Sequence, residues 1–123
     1  KERYKNKELD NNTIEDIKQK ITVIKEKELY LNPNVTLDET AKDLKISKHL
    51  LSQYLNEKLG QSFTNFINGF RIEKAKELLK SNTNHTIEGI GYDCGFNSKS
   101  TFFTTFKKIT GKTPSEYQKM HVK

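Results

Sequence analysis

The stretch Ala41-Lys42-Asp43-Leu44-Lys45-Ile46-Ser47-Lys48-His49-Leu50-Leu51 returns later as Gly91-Tyr92-Asp93-Cys94-Gly95-Phe96-Asn97-Ser98-Lys99-Ser100-Thr101-Phe102. At one offset of about 50, Ala41 falls on Gly91, Asp43 on Asp93, Leu44 on Cys94 and Ile46 on Phe96. The offset grows by one inside the turn. Ser47 then meets Ser98, Lys48 meets Lys99, Leu51 meets Phe102, Leu55 meets Phe106 and Lys58 meets Ile109. Further on, Gly60 meets Gly111, Ser62 meets Thr113 and Phe66 meets Tyr117. Each copy reads as a short capped helix with a small residue midway, a tight turn, and a longer capped helix stopped by glycine. That is the layout of a helix-turn-helix. Ala41 and Gly91 are expected where the two helices cross, because a small side chain lets the backbones approach. Ile46 and Phe96 are expected to plug the turn into the core. A helical-hairpin repeat that binds only protein shares this outline, but two copies so far apart are too few for a solenoid.

Outward from the repeat, Ile14, Ile17, Ile21 and Ile24 recur at three- and four-residue steps, the apolar stripe of a helix ending near Glu28. Asn12 or Thr13 is expected to cap it. Tyr30-Leu31-Asn32-Pro33-Asn34 breaks the helix, since Pro33 cannot continue it and restricts Asn32. Thr36-Leu37-Asp38-Glu39 is a capping box, and Ser47 caps the next helix, which Gly60 stops. A long helix runs from about Phe63 to Lys80 and ends at the polar cluster Ser81-Asn82-Thr83-Asn84-His85. Thr86 and Ser98 cap the helices of the second copy, and Thr113-Pro114-Ser115-Glu116 opens a final one. No segment alternates at period two. The expected fold is all-α, with about seven helices in two helix-turn-helix subdomains joined by a long linker helix. Residues 1–12 form a tether and 13–62 the N-terminal helix with the first helix-turn-helix. Residues 63–81 form the linker helix, and 82–123 the second helix-turn-helix with the C-terminal helix.

At 33% hydrophobic and 31% charged, the chain suits small helical units carrying long charged side chains better than one large core. A net charge of +6 points to a polyanionic partner. The single cysteine, Cys94, excludes an internal disulfide and suits a reducing cytosol. No apolar run reaches the roughly 20 residues that span a bilayer, and nothing resembles a signal peptide. The start at Lys1 fits a piece of a longer protein. The cytoplasm is the expected location, and a membrane anchor elsewhere in the full-length protein is compatible with it. His49, His85, His121 and Cys94 are dispersed without metal-ligand spacing, and there is no Gly-rich phosphate loop or serine-nucleophile motif. No enzyme activity, metal or cofactor is expected.

Gly91 through Tyr117, with its run Gly95-Phe96-Asn97-Ser98, its Phe102-Phe103 pair and its Gly111-Lys112-Thr113-Pro114-Ser115-Glu116-Tyr117 close, resembles the signature of the AraC/XylS family of transcription regulators. Phe70-Arg71-Ile72, Ala75-Lys76, Leu78-Leu79 and Leu59-Gly60-Gln61-Ser62-Phe63 agree with it, so the resemblance covers about 90 residues. It departs at Gly89, where an acid is common, at Gly91, where Ala is common, and at Cys94. Each helical glycine costs about 1 kcal/mol. The first unit is therefore expected to be the rigid anchor, and the second to complete its order on the correct site. The resemblance implies the DNA-binding output domain of a bacterial regulator. Its expected partners are double-stranded DNA, RNA polymerase, a sensor or effector domain ahead of the tether and, through the full-length protein, a second protomer.

Helix-turn-helix units place their second helix in the major groove, and two on one face of B-DNA sit about 34 Å apart. A connecting helix of about 17 residues spans roughly 26 Å, which with its turns makes two consecutive segments reachable. Off the apolar face, the base-reading candidates are Lys48, His49, Ser52, Gln53 and Asn56 in the first unit. In the second they are Asn97, Lys99, Ser100 and Thr104, while Phe103 reads equally as core or as a thymine-methyl contact. Ser47, Ser98, Lys107, Lys108 and Lys112 are candidates for phosphate. Arg71, in a helix beside apolar residues, is expected to form a structural ion pair.

Overall fold

The computed structural model of the chain describes residues 9–81 and 85–121. Among these, seven α-helices are present and no strand. They are α1 (Asn11–Glu26), α2 (Leu37–Leu44), α3 (Lys48–Tyr54), α4 (Phe63–Lys80), α5 (Ile87–Asp93), α6 (Lys99–Thr110) and α7 (Pro114–His121). A 3-10 turn, Leu29–Leu31, follows α1, and a π-helical turn, Leu55–Leu59, extends α3. Most of the expected tether and part of the polar cluster at 81–85 lie outside the described residues. The chain forms two compact units. One takes the chain up to Leu29 together with Asn34–Phe66; the other takes Tyr30–Pro33 and the chain from Ile67 onward.

In the first unit α1, α2 and α3 pack on one another. Ile17 and Ile24 of α1 are fully buried, as are Leu51 and Leu55. The cap of α1 is Asp10, not Asn12 or Thr13: the Thr13 amide donates to Asp10 Oδ1 at 2.7 Å, and the helix begins two residues earlier than expected. Three capping residue types follow one another there, and the first is used. Thr36 accepts from the Glu39 amide at 3.1 Å to start α2. Lys45 then turns the chain at φ +62, and the Ile46 amide donates back to Ala41 O at 3.0 Å. Ile46 is half-buried, so it plugs the turn only in part.

The second unit repeats this construction. Thr86 accepts from the Gly89 amide at 2.9 Å, Gly95 turns the chain at φ +106, and the Phe96 amide donates to Gly91 O at 3.1 Å. Gly91 carries the helix crossing, because a Cβ there would stand 2.5 Å from the Phe102 ring. Ile72, Ala75, Leu79, Ile90, Cys94, Phe96, Phe102 and Phe106 form the core. The rings of Phe96, Phe103 and Phe106 meet Phe102 at 5.3, 5.7 and 5.9 Å, geometries each worth about 0.5–1.5 kcal/mol beyond area burial. Burial, with the Asp93 carboxylate beside it, pushes the Cys94 thiol up to about 12, so Cys94 acts as a small apolar core residue. At the start of α7 the capping box is reciprocal. Glu116 donates its amide to Thr113 Oγ1 at 3.1 Å and accepts the Thr113 amide on Oε1 at 2.9 Å, which holds its carboxyl below the usual range.

Arg71 is structural, but not through an acid. It is buried on α4 and donates to Tyr30 O at 2.8 Å, Asn32 O at 3.0 Å and Asn68 Oδ1 at 3.0 Å, with its guanidinium 5.6 Å over the Phe96 ring. Burial lowers its pKa from the usual value. The segment that breaks α1 is thus drawn into the second unit, with Tyr30 stacked on Phe70 at 5.8 Å.

Candidate nucleic-acid interface

In the first unit the Leu50 amide donates to Ser47 Oγ at 3.0 Å, which fixes the start of α3 at Lys48. Leu51, Tyr54 and Leu55 take the buried face at helical spacing. Lys48, His49 and Asn56 are left exposed, and Ser52 and Gln53 half-buried. The helix closes through a wide turn in which the Gly60 and Gln61 amides both donate to Leu55 O, with Gly60 at φ +63. Two of the five expected base readers have acidic neighbours. Lys48 Nζ lies 3.2 Å from Asp38 Oδ1, and Gln53 Nε2 donates to Glu57 Oε2 at 3.3 Å.

In the second unit the Thr101 amide donates to Ser98 Oγ at 3.1 Å, and the Ser98 hydroxyl donates to Thr101 Oγ1 at 2.9 Å. Phe102 and Phe106 are fully buried, and Asn97, Lys99, Ser100 and Thr104 are exposed around the start and outer face of α6. Asn97 is the residue by which this turn exceeds the first. Phe103 is half-buried against the core, and Lys99 Nζ lies 5.6 Å over its ring. That cation–π contact holds the lysine at the helix start. Thr104, Lys107 and Lys108 come together with Phe103 and Thr113 around an open recess of about 460 Å³. Lys112, past the Gly111 stop, is half-buried, and its amide donates to Thr110 Oγ1 at 3.2 Å.

Each unit therefore gathers its expected residues on one helix and its flanks: Ser47, Lys48, His49, Ser52, Gln53 and Asn56 on α3, and Asn97, Ser98, Lys99, Ser100 and Thr104 on α6. Lys107 and Lys108 occupy the last turns of α6, where the helix dipole also favours cations. Sequence reasoning missed Asp38, Glu57 and Thr113 as neighbours of these residues. The Gln53–Glu57 contact has a readable signal in its four-residue spacing. Asp38 and Lys48 lie on different helices, and only the packing of α2 against α3 joins them. Among the described residues no group of His, Cys, Asp and Glu has the arrangement of a metal site, and no helix is long and apolar enough to cross a membrane.

Residues 40–120 match the family model described as Helix-turn-helix domain. An "Uncharacterized HTH-type transcriptional regulator" of Staphylococcus aureus strain MSSA476 is 37% identical over 91 residues, 74% of this chain and 12% of that protein. The chain thus spans a small part of the length of that relative. The C-terminal domain of AraT, a response regulator from Geobacillus stearothermophilus, is 30% identical with a TM-score of 0.73, covering 88% of this chain and 87% of that one. A transcriptional regulator of the AraC-type DNA-binding-domain-containing proteins from Chromobacterium violaceum shares the fold at 20% identity. Its TM-score is 0.75, over 91% of this chain and 96% of that one. The chain belongs to the AraC-type helix-turn-helix family of transcription regulators, as the sequence-specific DNA-binding domain of that family.

Proposed function

We propose that a single chain reads two consecutive major-groove segments of double-stranded DNA, with α3 in one and α6 in the next. The observation that carries this reading is the duplicated unit. Each copy closes its turn with the same backbone bond, Ile46 to Ala41 O and Phe96 to Gly91 O, and each leaves a polar face on the capped helix that follows. A helix about 10–12 Å across fits the major groove, and its first turns approach the base edges. Lys48, His49, Ser52, Gln53 and Asn56 read bases from α3; Asn97, Lys99, Ser100 and Thr104 read them from α6. The Gln53 amide matches adenine, and Lys48 donates to guanine. Lys107, Lys108, Lys112 and the cap residues Ser47 and Ser98 meet phosphate and set the register. In the full-length protein this domain is the output of a cytoplasmic bacterial regulator that also carries a sensor or effector domain, contacts RNA polymerase and pairs with a second protomer.

Selection of bound sites from random duplex DNA tests the reading. Two short preferred blocks about one helical turn apart are expected, and failure to enrich any sequence contradicts it. Against the selected site, Gln53→Ala is expected to relax preference within one block only. Lys108→Ala is expected to weaken binding to all sequences alike and to lower the salt slope by about 1.

A further inference from the structure

In the register of the internal repeat, Glu57 stands where the second unit carries Lys108. Lys108 sits at the end of α6 as a proposed phosphate contact, whereas an exposed carboxylate at the matching place, in the π-helical turn that extends α3, repels a polyanion. The first unit therefore holds a charge that opposes binding to DNA of any sequence. Its one-turn neighbour gives it a use, because Gln53 Nε2 donates to Glu57 Oε2 at 3.3 Å.

We propose that Glu57 is a positioning residue for Gln53: it sharpens discrimination at one base pair while lowering affinity for DNA in general. The inference rests on Gln53 being a base reader. An amide reads adenine through its oxygen and the N–H hydrogen on the same side, which meet adenine N6–H and N7. Its other hydrogen points away from the oxygen, and that is the one a flanking acceptor takes. A carboxylate can only accept, so the flipped amide would set oxygen against oxygen. Glu57 thereby selects the orientation with nitrogen toward residue 57, and Gln53 has fewer rotamers to lose on docking. The second unit has Thr104 and Lys108 at these two places, a pair that spends its charge on phosphate instead.

The test measures Kd of the chain for three duplexes at one salt concentration: the selected site, that site changed at the base pair Gln53→Ala relaxes, and an unrelated sequence. Glu57→Ala and Glu57→Gln both remove the charge, and each is expected to bind the unrelated duplex about threefold tighter. Only Glu57→Ala removes the acceptor. It is expected to lose about threefold or more in the ratio of selected to altered site. Glu57→Gln keeps an acceptor but its amide also donates to a flipped Gln53, so it is expected to lose part of that ratio. In a Gln53→Ala background, Glu57→Ala is expected to leave that ratio unchanged. A purely structural loss would weaken all three duplexes together and overturn the proposal. If Gln53→Ala changes the ratio and Glu57→Ala does not, the positioning role fails and the base-reading role stands. A change of the ratio by Glu57→Ala in the Gln53→Ala background also overturns it, because the charge would then act without Gln53. If Gln53→Ala alters preference at no base pair, both fail.

Discussion

A Cβ placed on Gly95 would lie 2.5 Å from Tyr30 O and 2.8 Å from Arg71 Nε, on a backbone at φ +106. Gly111 has φ +83 but, among the described residues, nothing within 4 Å of the same position. The two glycines therefore separate backbone strain from steric contact. Gly111→Ala is expected to lose about 1–2 kcal/mol, the left-handed penalty alone. Gly95→Ala is expected to lose about 2–4 kcal/mol, since the Tyr30 segment and Arg71 must also move. Urea unfolding of both variants checks this, and equal midpoints would contradict the close approach. Thr40 presents the opposite case. It is fully buried in α2, its Oγ1 has no hydrogen-bond partner among the described residues, and the repeat register places Ile90 at its counterpart. Thr40→Val keeps the shape and removes the unpaired hydroxyl, so it is expected to raise stability by about 1–2 kcal/mol. A lower urea midpoint would show that the hydroxyl is satisfied in solution.

At the scale of elements, the two helix-turn-helix units solve the same crossing with different residues. The first has Ala41 and Leu51 at the places where the second has Gly91 and Phe102. Gly91 weakens α5 by about 1 kcal/mol as a helix residue, yet its missing Cβ makes room for a ring at the centre of the core. Gly91→Ala is expected to cost about 1–2 kcal/mol net, and Phe102→Leu alone about 1–3. Together they restore the pairing of the first unit, so their effects are expected to fall short of additivity by about 1 kcal/mol or more in a double-mutant cycle. Simple additivity would place the crossing elsewhere. Much of this was legible in the sequence, because caps, turn glycines and the small crossing residue are local signals and the repeat states each of them twice. Thr36, Ser47, Thr86 and Ser98 all cap where their spacing indicates. Two of the partners of Arg71 were not legible. They are backbone carbonyls about 40 residues earlier in the chain, which any residue type supplies and no motif announces. The Asp10 cap was missed because Asp, Asn and Thr rank closely at that position.

At the scale of the whole molecule, a net charge of +6 favours a polyanionic partner such as DNA, and the proposed reading assigns the choice among sequences to the faces of α3 and α6. The candidate residues of each face were legible because the apolar stripe leaves only one side of a recognition helix free. The acids that flank them, Asp38 and Glu57, were not, since an acid on a basic domain reads as solvated surface until its neighbour is seen. The proposed occupation of two consecutive major-groove segments by one chain is measured most directly by guanine-N7 methylation protection on a selected site, at a determined stoichiometry. The expected result is two protected clusters on one face of the duplex, about one helical turn apart, with one chain bound. A single protected cluster per chain, or two clusters that require two chains, would contradict it.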